Sequence, residues 1–354
     1  MLSLWGAATV FSATRGEVTH TGEAVKQLGF IGLGLVLMTV LAFARYRALL
    51  HLQWWIYCGN IALLTLLIAL PNHFAPRING AKAWIKLGPV SLQPSEISKF
   101  AVLVFLAAFW ARRQNEANQL KTLLLSLLWL LPVVGLIMKQ PDLGTTMATF
   151  SIWLGVAFFA GARWTHLGAT VAVGVALFLA AWHGIPGVHG PILKEHQKQR
   201  LAVFLDPNAD KQKSGYQLNQ AQIAIGGGGF AGQGFGRGLQ NTAHYVPENH
   251  TDFVFTVVAE EWGFLGGALL IGLFYALLGR ITKIAGEGNS YFGTVFCGGY
   301  AALLAFHCLV NIGMTMRLMP VTGVPLPFFS YGGSSFLSFC LGAGVCLSVS
   351  ARRR

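Results

Sequence analysis

Long apolar runs, broken by short polar connections, dominate the chain from end to end. A membrane-crossing helix needs about 20 apolar residues at ~1.5 Å rise each. Nine stretches have that character: 27–46, 50–70, 96–111, 121–138, 143–161, 165–183, 252–279, 290–311 and 332–350. A tenth, 1–14, is short of that length by about a third. The pattern predicts an all-α polytopic membrane protein of about ten transmembrane helices, forming one membrane domain over 1–354. One long loop, 184–250, stands outside the regular alternation and is expected to be extracytoplasmic.

Composition agrees. Only 11% of residues are charged and 54% are hydrophobic, whereas soluble domains carry about 25% charged residues. A water-soluble domain of this length is thereby excluded. The net charge of +12 could suggest nucleic acid, but the basic residues sit in short clusters between apolar runs and no recognition motif accompanies them. Membrane lipids, and no nucleic acid, are the expected surroundings. Cys58, Cys297, Cys308, Cys340 and Cys346 all fall inside apolar segments without metal-type spacing, so they read as small buried hydrophobes. No positive n-region precedes the first apolar stretch, so a cleaved signal peptide is not expected.

Orientation follows from the Lys/Arg bias of short loops. With both termini cytoplasmic, the inner side holds Arg45, Arg47, Arg112, Arg113, Lys121, Arg163, Arg280, Lys283, Arg352, Arg353 and Arg354. The outer connections hold Arg15, Lys26, Arg77, Lys82, Lys86, Lys99, Lys139 and Arg317. Eleven against eight is a modest margin, and eight outer cations suggest an anionic ligand on that side. The outer side also collects the Gly- and Pro-rich stretches 72–96, 139–146, 184–250 and 319–335. Irregular backbone at membrane depth survives only where protein buries it or it lines a cavity, so the outer half is expected to enclose one.

The candidate chemistry lies there too. In NHTDFVFTVVAEEWG (249–263), Asp252 precedes a strongly apolar helix. It reads either as a structural cap, a role Thr251 could also fill, or as a base taking a proton from a hydroxyl. Thr256 and Glu260 follow on roughly the same face, and Glu260 is open to a catalytic or a structural role. In QPSEISKF (93–100), Pro94 fits the first helical position, and Glu96 and Lys99 are neighbours on one face. They form an internal ion pair, or a preorganised pair with Lys99 offered to a phosphate. IGGGGFAGQGFGRG (225–238) has eight glycines but no βαβ context, so it is expected to bend over a substrate or pack on helices, with Arg237 and free N–H groups facing an anion. KEHQKQRLAVFL (194–205) looks like a basic interfacial segment. His244 and His250 flank VPEN beside Asp252, which makes a metal held by Asp252 and loop groups conceivable.

At these residues the chain resembles the SEDS family (shape, elongation, division and sporulation), the group of RodA and FtsW. The resemblance runs from about residue 25 to the end. It rests on NGAKAWIKLGPVSLQPSE, KQPDLGTT, FLDPNAD, GYQLNQAQIAIGGGGFAGQG, VPENHTDFVFTVVAEEWGFLGG and NIGMTMRLMPVTGVPLPFFSYGGSS in order. PVTGVPLPF resembles the RodA branch more than FtsW. Ala83 stands where a basic residue commonly precedes the Trp, with Lys82 beside it. Gln233 replaces a usual lysine, and the pattern after NIGM departs near Arg317.

The resemblance implies an inverting peptidoglycan glycosyltransferase of the bacterial cytoplasmic (inner) membrane, acting in cell elongation and shape. It would polymerise lipid II on the outer face beside a class B penicillin-binding protein that supplies transpeptidation. The family's essential aspartate matches Asp252, and its membrane Glu and Lys match Glu96 and Lys99. Asp252 is then the base, or the ligand of a divalent cation (Mg or Mn); no organic cofactor is expected. Lys99, Lys82, Arg77 and Arg237 are candidates to stabilise the departing diphosphate. A lipid II flippase and a non-catalytic scaffold for a cell-wall synthase remain the competing readings.

Overall fold

The computed structural model describes residues 1–15, 22–77, 81–88, 90–183 and 214–352. Among these residues twelve α-helices form: α1 (Leu2–Ala13), α2 (Glu23–Phe43), α3 (Ala48–Ala69), α4 (Pro94–Ala111), α5 (Leu120–Lys139), α6 (Leu143–Phe159), α7 (Trp164–His183), α8 (Ser214–Gly227), α9 (Leu239–Thr242), α10 (Val254–Gly286), α11 (Tyr291–Thr315) and α12 (Gly333–Ala351). Each of the ten expected spans has its helix, and among the described residues seven helices are long and apolar enough to cross a membrane. The protein is a multi-pass membrane protein. The basic segment 194–205 lies outside the described residues, as does most of the long loop.

α4 is the axial helix of the bundle. It packs against α3, α5, α6, α11 and α12, and all its residues from Ala101 to Trp110 are buried. Helices α2, α3 and α5 keep large apolar side chains such as Val36, Trp55 and Leu128 exposed. In a bilayer those faces meet lipid, so exposure there carries no penalty, and helix association rests on close packing. α6 and α11 show this: a Cβ on Gly155 would stand 2.2 Å from the Ala302 Cβ. Four of the five cysteines are buried as expected, but Cys58 faces outward on α3, an apolar position in lipid.

The two ends of the bundle differ. At one end the connections are short and pinned by side chains on helix-terminal carbonyls: Arg352 donates to Ala42 O and Phe43 O, and Arg112 to Leu50 O. At the other end, a small antiparallel hairpin (β1 Ile85–Leu87, β2 Val90–Leu92), the segment 316–332 and the segment 228–253 fold over the helices. Of the eight basic residues assigned to that end's connections, Lys26, Lys99 and Lys139 instead stand within α2, α4 and α5.

Candidate functional site

Asp252 lies in a tight turn before α10, not at its N-cap, which is Phe253 and has no side-chain cap hydrogen bond. The capping reading of Asp252 and Thr251 therefore gives way. Thr251 Oγ1 turns back to Glu248, and the backbone N–H groups of Thr251, Asp252 and Phe253 all donate to Glu248 O. Two non-glycine residues near this turn hold left-handed backbone, His244 (φ 56°) and Glu248 (φ 55°). Each costs about 1–3 kcal/mol and persists only where the surroundings over-determine it.

Those surroundings are specific. Asn311, fully buried on α11, donates from its amide nitrogen to Asp252 O at 2.8 Å and to Val324 O at 2.8 Å. Tyr331 N donates to His250 O at 2.9 Å, and His250 Nε2 lies 3.1 Å from Glu23 Oε2. Burial, and next the charge of Glu23, push the Tyr331 phenol above its ordinary pKa, so it stays protonated at neutral pH. Asn249 Nδ2 donates to Asn241 on α9. Asp252 itself is half-buried.

Glu96 and Lys99 meet at 2.6 Å inside the bundle. Pro94 takes the first helical position and Glu96 pairs with Lys99, both as expected. Lys99 is fully buried, its ammonium 3.1 Å from His307 Nε2 and 5.2 Å from the Phe339 ring centre. An ammonium can only donate, so His307 Nε2 accepts and its Nδ1–H donates to Pro325 O at 2.9 Å. His307 and Asn311 are one turn apart on one face of α11, and their carbonyl partners, Pro325 and Val324, are adjacent. A continuous polar chain thus runs from Glu96 and Lys99 through His307, residues 324–325 and Asn311 to the backbone of Asp252.

Glu260 is fully buried and receives Gln240 N at 2.7 Å, Asn241 N at 3.1 Å and the Asn241 side-chain amide. Glu261 receives the Ser12 hydroxyl and the Gly236 N–H. Glu261 thereby holds the glycine-rich strap 228–238 at Gly236, and Glu260 holds the start of α9 directly after it. Thr256 donates to Phe253 O at 2.6 Å and faces Asn241. The strap does pack on helices, and its glycines are required by contact. α10 breaks at Gly263 (φ 63°, ψ −159°), a backbone region open essentially to glycine. There Gln233 N and Gly234 N donate to Glu260 O and Glu261 O, and Phe264 N and Leu265 N donate to Gly229 O and Phe230 O. The broken helix and the strap thereby satisfy one another's backbone groups, as a break in an apolar span requires.

The remaining cations separate. Lys82 donates to Ile68 O at 3.0 Å and to Leu70 O, closing the end of α3. Arg77 and Arg237 are exposed. The structure therefore joins the Asp252 backbone to Glu96 and Lys99 through one polar chain, gathers Glu260, Thr256 and Asn249 around Asn241, and leaves Lys82 at the end of α3 and Arg77 exposed. Sequence reasoning missed Asn311, His307 and Glu23. The available signal was cost: a polar residue in the middle of an apolar span, such as Asn311 one turn from His307, is expensive without a task. Among the described residues no three of His, Cys, Asp and Glu gather where they could hold a metal ion.

The whole chain, residues 1–354, matches the model of the FtsW, RodA and SpoVE family, described as cell cycle protein. It is 35% identical over 353 residues to the peptidoglycan glycosyltransferase MrdB of Escherichia coli K12, covering 100% of this chain and 91% of that one. It is 30% identical over 421 residues to the peptidoglycan glycosyltransferase RodA of Treponema pallidum, covering 100% and 96%. Among solved structures, RodA of Thermus thermophilus superposes with a TM-score of 0.70 at 31% identity, covering 99% and 94%. A chain from work on a peptidoglycan synthase complex that coordinates polymerization and crosslinking superposes with a TM-score of 0.81 at 34% identity, covering 99% and 96%.

Proposed function

The chain belongs to the FtsW, RodA and SpoVE family, and from that premise we propose that its irregular end extends glycan strands from lipid II with Asp252 as the base. It is a peptidoglycan glycosyltransferase. The observation that carries the role of Asp252 is the effort spent on its backbone: Asn311, Glu248 and the His250–Tyr331 contact hold that turn from three directions.

In the reaction, an acceptor sugar hydroxyl attacks the anomeric carbon of a lipid-linked disaccharide. The new C–O bond forms as the bond to the lipid diphosphate breaks, and the hydroxyl proton passes to Asp252. One displacement inverts the centre, so one base suffices. The leaving diphosphate needs positive charge, and Arg237 and Arg77, both exposed, are the candidates to supply it. Lys99 acts from beneath, through the polar chain.

A divalent cation fits this site in one way. With no cluster of three ligands among the described residues, it would be held by Asp252 and the substrate's own phosphate oxygens, as Mg²⁺ commonly is. Bound there it supplies charge to the departing diphosphate.

The bacterial inner membrane, with both termini cytoplasmic and the irregular end outside, is the placement consistent with this chemistry. The partner is a class B penicillin-binding protein that crosslinks the strands. The test is purified protein in liposomes with lipid II, with and without partner and divalent cation, read as glycan strands on a gel. Wild type should make strands and Asp252→Asn should not. Failure of wild type under every condition sinks the polymerase reading and favours a flippase or scaffold; full activity in Asp252→Asn removes the base.

A further inference from the structure

Between α1, α2 and the strap lies a lateral groove of about 430 Å³. Leu4, Ala8 and Phe11 of α1, Val25 and Leu28 of α2, and Phe235 of the strap line it. Leu4, Ala8 and Phe11 recur at helical spacing along one face of α1, so the groove runs along that helix. Phe235 closes it from the strap, and the backbone is shaped to present it: Gly234 (φ 98°) and Gly236 (φ 68°) flank it in left-handed conformations.

The mouth has a different chemistry. Arg15 follows Phe11 by one turn, and its Nη1 lies 3.2 Å from where a Cβ on Gly236 would stand. Arg237 is the next residue, and both guanidiniums are exposed with no ion pair among the described residues. Across the mouth, Glu23 precedes the groove-lining Ala24 and contacts His250, two residues from Asp252. An ordinary acyl chain could fill the groove itself. Two exposed guanidiniums at its open end suit a ligand that joins a long apolar chain to a concentrated anion.

We propose that this groove holds the first isoprene units of the polyprenyl diphosphate that carries the sugar, with Arg15 and Arg237 on the diphosphate. The proposal rests on the polymerase reading and adds the place and the two contacts. The substrate enters sideways from the bilayer, its tail between α1 and α2, and its sugar is delivered beside the Glu23–His250 contact to Asp252.

The test is photolabelling in liposomes with a long-chain polyprenyl diphosphate bearing a diazirine near its head, with adducts mapped by mass spectrometry. Labelling should fall on 4–11 and 24–28, and should be competed by unlabelled polyprenyl diphosphate but not by excess phosphatidylglycerol. Ala8→Trp, which fills the groove, and Phe235→Ala, which opens its wall, should each weaken labelling about tenfold. Equal competition by phosphatidylglycerol, or adducts elsewhere, overturns the proposal. Labelling is read in Asp252→Asn as well, where turnover is blocked. Wild type that is labelled in the groove but makes no strands counts against the polymerase reading alone; wild type that makes strands without groove labelling counts against the groove alone.

Discussion

Replacing Asn311 by Asp isolates the contact that holds the Asp252 turn. The substitution keeps the side-chain volume and removes both N–H donors. In the native site one amide nitrogen serves two carbonyls, Asp252 O and Val324 O, each at 2.8 Å, and the residue is fully buried. Leaving two carbonyls without a donor costs about 2–4 kcal/mol in all, and a carboxylate pressed against them adds repulsion. The turn should relax away from α11, and a shift near 1 Å in a reacting group costs about 10²-fold in rate. Asn311→Asp should therefore lower the thermal midpoint in detergent and cut kcat for strand synthesis about a hundredfold with KM for lipid II little changed. Asn311→Leu, which lacks the donors but adds no charge, should be milder in both assays. If Asn311→Asp unfolds at the wild-type temperature and retains full kcat, the polar chain from Lys99 to Asp252 does not position the base. A rise in KM alone would refute the argument equally, since the contact is to backbone and not to substrate.

Glu260→Gln leaves one oxygen for three donors and turns an NH₂ toward another N–H. It should cost about 1–3 kcal/mol and speed hydrogen exchange in 239–242; activity lost with neither change would make Glu260 a participant in the chemistry. Lys99→Met strands the buried Glu96 and should destabilise by about 3–5 kcal/mol. The double variant Glu96→Gln/Lys99→Met should cost much less than the sum of the singles, and strict additivity in thermal unfolding would deny their coupling. Gly263→Ala should fold poorly, because its Cβ would stand 2.4 Å from Gly232 N on a glycine-only backbone. Gly272→Ala in the same helix meets nothing within 4 Å and should be neutral or stabilising by about 1 kcal/mol; equal yields of the two in membranes would contradict the crossing of strap and helix.

The helices were legible because each reports itself locally: a lipid-facing helix such as α2 is apolar along its own length, whatever it packs against. The strap was not. Its glycines carry no periodicity, and the reason for them lies in α10, thirty residues on, where Gly263 interrupts an apolar run that hydropathy reads as continuous. Lys99 and Lys82 show the same limit from the side of charge. Sequence places both near an anion, but the partners that absorb them, His307 at a distance of 208 residues in the chain and the end of α3, are set by packing. Asp252 was legible through its neighbours in the motif; Asn311, which holds it, was hidden among apolar residues of α11.

The interruption of α10 also fixes a height. Counted from Arg280 toward the irregular end, about 20 residues span the roughly 30 Å of hydrocarbon and arrive near Glu260. By that count Glu260, Glu261 and the strap stand near the level of the lipid phosphates. The Asp252 turn stands near the same surface, because it is held at 2.8 Å by Asn311, about 20 residues along α11 from Tyr291, and there a sugar meets it when its diphosphate rests among the lipid phosphates. The stretch between Asp252 and Glu260 thus works as a measuring rod: lengthened by one helical turn, it would carry the base about 5.4 Å off Asn311 and clear of the bond it serves, while the helix contacts below Glu260 stayed in place.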